Sequence, residues 1–162
     1  MKSVSKLSLV VLLACGCNRT TVQPSETPQL ASDEGLLAIV MDTHRPVLAV
    51  HYVSPDDDKQ FNLDSVETGT SIQVHRVPAG AYCVRRITWQ AAGFNADRHD
   101  RGAILCVDVK PGVLNYPGHM QFGAGEMTWG KSGFRARYDQ RTDAYEDLVR
   151  AEYPELVPWL EG

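Results

Sequence analysis

Between residues 35 and 138 the apolar positions fall in short runs broken by frequent turn residues, which is the pattern of an all-β chain. Residues 36–41 (LLAIVM) and 46–53 (PVLAVHYV) read as two strands joined by a turn at 42–45. Residues 59–66 (KQFNLDSV) carry a weaker period of two through Phe61 and Leu63. In 71–77 (SIQVHRV) the alternation puts Ile72, Val74 and Arg76 on one face and Gln73, His75 and Val77 on the other. Two further strands, 81–89 (AYCVRRITW) and 103–109 (AILCVDV), are linked by the polar stretch 90–102 (QAAGFNADRHDRG). EMTW at 126–129 and FRARY at 134–138 flank GKSG at 130–133. Only then does the period change. Tyr145, Leu148 and Val149 share one face of a helix that Asp139 or Thr142 can cap, and Pro154 interrupts it. The last residues, ELVPWLEG, form a short apolar segment that should pack on the sandwich. The expected fold is mainly β: a two-sheet antiparallel β-sandwich over 35–138 with one C-terminal helix within 139–153.

Two turns stand out. Pro78 presets φ for the second position of a type I turn, and Gly80 suits its fourth. Pro111 and Gly112 are placed for a type II turn, whose third position needs positive φ. Val77, Pro78, Gly80, Tyr82 and Val84, followed by Pro111, Gly112 and Tyr116, resemble a motif of small exported sandwiches. An apolar-Pro-x-Gly turn continues there as Tyr-x-Val, and a Pro-Gly turn then leads to a second tyrosine strand. The resemblance is to bacterial lipoproteins with an immunoglobulin- or transthyretin-like β-sandwich, and it covers about 40 residues. It implies a fold and a compartment and no activity, because sandwiches host unrelated functions.

The N-terminus points the same way. Lys2 and Lys6 precede an apolar run, Leu7 to Ala14, too short for a permanent membrane span of roughly 20 residues. It has the length of a secretory signal core. Its end resembles a bacterial lipobox, in which a small residue precedes the cysteine that takes the lipid. Cys17 is favoured over Cys15. It leaves a longer uncharged stretch after Lys6, and its use removes Cys15 and leaves an even pair in the domain. Asn18, rather than an aspartate, suggests the outer membrane, facing the periplasm. The expected organisation is therefore a signal peptide at 1–16, a flexible tether at 17–34 with Pro24 and Pro28, and the domain at 35–162. Loss of Lys2 and Lys6 takes the net charge from −4 to −6. That argues against nucleic acid and against an anionic membrane face as partners of the domain surface.

One motif argues otherwise. Gly125–Ser132 spells G-x-x-x-x-G-K-S, the phosphate-binding loop of nucleotide hydrolases, and ILCVDV upstream imitates the strand that ends in a magnesium aspartate. That loop works by delivering backbone amides to a helix N-terminus. Here Gly133 follows at once, and Phe134, Ala136 and Tyr138 then alternate with Arg135 and Arg137, as in a strand. GKSG is expected to be a hairpin loop, with no nucleotide bound.

Other chemistry is sparse. His44, His51, His75, His99 and His119 show neither the i, i+4 spacing of a helical zinc pair nor an H-x-H. Residues 55–59 (PDDDK) lack the glycine and distal glutamate of a calcium loop. No G-x-S-x-G occurs. No metal, cofactor or catalytic residue is expected. Cys83 and Cys106 should pair in an oxidising compartment. Placing them opposite each other puts Tyr82 against Val107 and Val84 against Leu105, all four facing the core, with the cysteines beside Arg85 and Ile104 on the other face. The bond would close the connection whose Phe94, Asn95, Asp97, Arg98, His99, Asp100 and Arg101 form a candidate partner-contact loop, with Phe94 at its tip. The functional expectation is a lipid-anchored, non-catalytic envelope module that binds a protein or cell-wall partner. One alternative is an immunity or inhibitor lipoprotein that blocks a secreted cell-wall hydrolase. The other is an enzyme with a site of unfamiliar type.

Overall fold

The computed structural model describes residues 20–91, 94–99, 105–128, 131–139 and 142–160. Among the described residues ten strands follow in chain order: β1 Glu34–Thr43, β2 Val47–Val53, β3 Gln60–Leu63, β4 Gly69–Pro78 and β5 Gly80–Ala91. The second half contributes β6 Phe94–His99, β7 Cys106–Val109, β8 Leu114–Asn115, β9 His119–Thr128 and β10 Lys131–Asp139. A helix, α1 Thr142–Glu152, and a 3-10 helix, Pro154–Trp159, close the chain. The strands form two five-stranded sheets. One runs β10-β9-β1-β4, with β8 also on β1; the other runs β3-β2-β5-β6, with β7 also on β5. The expected mainly-β, two-sheet sandwich with one C-terminal α-helix is the fold of this chain.

The core has two parts, and β1 lies between them. Leu37, Ile39 and Met41 face the interior between the sheets, with Tyr52, Phe61 and Tyr82. Leu36, Ala38 and Val40 face the opposite way, under Tyr145, Val149, Tyr153 and Leu156 of the helical segment. A strand covered on both faces has no polar face to show, which explains the unbroken LLAIVM run. β4 is similar: Ile72 and Val74 lie under the helix, whereas Val77 points between the sheets. Arg76, expected beside Ile72 and Val74, reaches back to the Gln29 carbonyl and lies near the Glu34 carboxylate.

Three expectations need correction. The first sheet is mixed, since β1 pairs antiparallel with β4 but parallel with β8 and β9. The chain crosses from β7 in one sheet to β8 in the other and arrives running in the direction of β1. The stretch 90–102 is not merely a polar connection. Residues Phe94–His99 form β6, paired with Arg86–Ala91, so Phe94 opens a strand opposite Ala91. An edge strand pairs through its backbone, which any residue type supplies, so few apolar residues betray it.

The third correction concerns the tether over 17–34. The chain is held at residues 20–22 and again at 28–30, although 23–27 are exposed, so it is not a free tether. The Val22 amide donates to the Val74 carbonyl at 2.8 Å, and the Arg76 amide to the Thr20 carbonyl at 2.6 Å. Thr21 forms a bridge with His75, and Val22 is buried in the core beneath the helix. Two backbone bonds and one apolar anchor are enough to hold a polar segment along the otherwise open edge of β4.

The turn after β7 fits against β1 with no room to spare. Gly112 has the positive φ (71°) that the expected type II turn requires, and its amide donates to the Glu34 carbonyl at 2.8 Å. A Cβ on Gly35 would stand 2.3 Å from the Lys110 carbonyl oxygen, and backbone cannot turn aside as a side chain can. Gly35→Ala should therefore destabilise the domain by about 2–3 kcal/mol, as forced overpacking does. Urea unfolding checks this; a change below about 0.5 kcal/mol, the ordinary surface range, would contradict the close fit.

Candidate functional site

The β5–β7 ladder fixes the first candidate region. Tyr82 pairs with Val107 and Cys83 with Cys106, the register expected from the alternation. The Val84 amide donates to the Leu105 carbonyl, and Tyr82, Val84, Leu105 and Val107 are all buried. The cysteines point away from the core, with Cα atoms 4.0 Å apart and sulfurs bonded. Beyond them the β2–β5 register shifts by one residue at Arg85. This bulge separates the part of β5 paired with β7 from the part paired with β6. The disulfide thus braces the base of the β5–β6 hairpin. The Tyr82 hydroxyl donates to the Pro78 carbonyl at 2.9 Å, tying the strand to the turn that precedes it. This gives the Pro-x-Gly-x-Tyr spacing a physical role, and Gly80 supplies positive φ between them. Burial pushes the Tyr82 phenol above its ordinary range.

The second region is a groove of about 700 Å³ where β7 and β8 meet the helical segment. Its volume lies in the range of small-ligand sites. Asp108 and Lys110 line it from the β7 side, Glu146 from α1, and Trp159 from the 3-10 helix. Tyr116 and Tyr145, also in its wall, are stacked, with centroids 3.9 Å apart and planes at 4°. The Tyr116 hydroxyl shares a hydrogen bond with Nδ1 of the buried His119. The Tyr145 hydroxyl is buried without a hydrogen-bond partner among the described residues, and burial raises its pKa strongly. Asn115 holds the groove wall in place: its amide nitrogen faces the Leu36 and Lys110 carbonyls, each at 3.0 Å, and its oxygen accepts from the Lys110 amide. The arrangement offers aromatic surface with a few charged groups at the margin, which suits binding.

The remaining sequence candidates are dispersed. Lys131 and Ser132 open β10 opposite Thr128 and Met127, so the G-K-S spelling leads into an antiparallel strand and not into a helix N-terminus. His51 pairs with Asn62 on the β2–β3 surface, His75 is buried beside Phe61, and His119 is held by Tyr116. No group of three His, Cys, Asp or Glu side chains suited to a metal gathers among the described residues. In the acidic turn, Asp57 pairs with Lys59 at 2.9 Å, and that contact lowers the pKa of Asp57. Of the proposed contact loop, residues 94–99 lie on β6, whereas Asp100 and Arg101 fall outside the described residues, as do Ile104 and both candidate lipidation sites, Cys15 and Cys17. The groove is not legible in the sequence: Tyr116 belongs to a turn motif and Trp159 to an apolar tail, and nothing in their spacing shows that the fold joins them.

The chain matches no family model, no curated protein and no solved structure.

Proposed function

We propose that this protein is a lipid-anchored module of the bacterial envelope, attached through Cys17 to the outer membrane, facing the periplasm, and binding a protein or cell-wall partner without catalysing a reaction. The observation that carries this reading is the Cys83–Cys106 pair. A disulfide of this kind is favoured in an oxidising compartment, which supports the reading. That compartment is the one implied by the signal-like N-terminus. The aromatic groove beside Trp159 and the braced β5–β6 hairpin supply two surfaces for a partner. The narrower version is an immunity or inhibitor lipoprotein that presents the paired strands β5 and β6 to a secreted hydrolase.

Growth with labelled palmitate followed by membrane fractionation tests the anchor. The protein should carry label and sediment with the outer membrane, and Cys17→Ser should abolish both. Unchanged labelling in that variant would remove Cys17 from the proposal, and an unlabelled parent protein would remove the class.

A further inference from the structure

We infer that the β3/β4 edge of the sandwich rests against the bilayer surface and that the β6 and β10 edges are presented outward. This rests on the proposed acylation of Cys17. Only Asn18 and Arg19 separate that cysteine from Thr20. Thr20 is already hydrogen-bonded to Arg76, and Val22 to Val74, along β4. Three peptide steps reach at most about 11 Å. A free chain over the 17 residues 18–34 would instead have spanned on the order of 20–25 Å, with freedom to turn. The Cys17 Cα therefore lies within about 11 Å of Thr20, which is held beside Arg76 of β4.

That edge includes both sheets. β4 ends one sheet and β3 ends the other. The Phe61 and His75 rings lie 5.6 Å apart across them. The Thr21 hydroxyl is within 3.3 Å of the Asp64 carboxylate, just after β3, and the Asp64 amide donates to Gln73 of β4. The surface here is hydroxyl, amide and carboxylate, with the cation Arg76 near Glu34. Among the described residues it has no apolar patch to insert and no free cluster of cations to attract headgroups, so the acyl chains alone supply the hold and the short link alone sets which edge faces the bilayer. β10 and β6 are each three strands away, or roughly 14 Å across the sheet at about 4.8 Å per step. The β5–β6 hairpin thus stands on the side facing the periplasm.

The test uses the full-length acylated protein in vesicles of phosphatidylethanolamine and phosphatidylglycerol containing a headgroup spin quencher. A fluorophore is placed on Ser65→Cys, beside Asp64, or on Arg137→Cys in β10. The Ser65 label should be quenched severalfold more than the Arg137 label. A flexible Gly/Ser insertion between Arg19 and Thr20 should remove that difference while palmitate labelling stays unchanged. Equal quenching in acylated protein, or a difference that survives the insertion, overturns the orientation alone. Absence of the acyl group overturns the anchoring reading and the orientation with it.

Discussion

Replacing Cys83 and Cys106 together by alanine is expected to lower the unfolding free energy by about 3 kcal/mol. The bond spans a sequence separation of 23 residues. Removing that cross-link returns the corresponding loop-closure entropy to the unfolded chain. The native ladder should survive, because Tyr82, Val84, Leu105 and Val107 are held by burial on the opposite face. The loss should appear as a fall in Tm of roughly 10 °C, given about 3–4 °C per kcal/mol for a domain of this size. Thermal unfolding of the parent and of the double alanine variant, both in non-reducing buffer, measures it. A shift below about 2 °C would show that the bond closes a loop already restrained in the unfolded state.

Acid should weaken the fold through His75, to a similar extent. Its ring is buried between the sheets against Phe61; Nε2 lies 3.3 Å from the Gln73 carboxamide oxygen, and Nδ1 has no partner among the described residues. Burial lowers its pKa from 6.5 to about 4, slightly opposed by Asp64. The sign follows from proton binding. Between pH 6.5 and about 4 the unfolded chain holds a proton on this histidine and the folded chain does not, so stability falls as pH falls through that window. The contribution is complete above pH 6.5 and largely lost below about 4. At 1.36 kcal/mol per pH unit the total is about 3 kcal/mol. His75→Leu should flatten this part of the curve. A parent slope equal to that of the variant between pH 6.5 and 4.5 would mean that His75 takes up its proton without cost.

The parts of the fold legible in the sequence are those where one face must be dry. Period-two alternation in β3, β4 and β5 marks their inward residues, and the same alternation specifies the Cys83–Cys106 register. The helical face of Tyr145, Leu148 and Val149 was equally plain, since all three pack toward the first sheet. What the sequence does not show depends on backbone pairing or on long-range meeting of short pieces. β6 and the segment at 20–22 hold to their neighbours through main-chain bonds, which leave no composition signal. Val22 and Leu30 are isolated apolar residues in a polar stretch, yet both pack against the core beneath the helix. The parallel placement of β8 and β9 on β1 is a matter of connection, not of local pattern. The groove joins Asp108, Tyr116, Glu146 and Trp159 across about 50 residues of chain, and no local rule assembles them.

The most direct measurement of the central proposal is the mass of the mature N-terminal peptide. Trypsin cuts after Arg19, so a protein processed and acylated at Cys17 yields the three-residue peptide Cys17-Asn18-Arg19. Extracted from membranes, that peptide should carry a diacylglyceryl thioether and an N-acyl chain, and no peptide from residues 1–16 should accompany it. An unmodified N-terminal peptide, or a lipid on a peptide that begins at Cys15, would contradict attachment through Cys17.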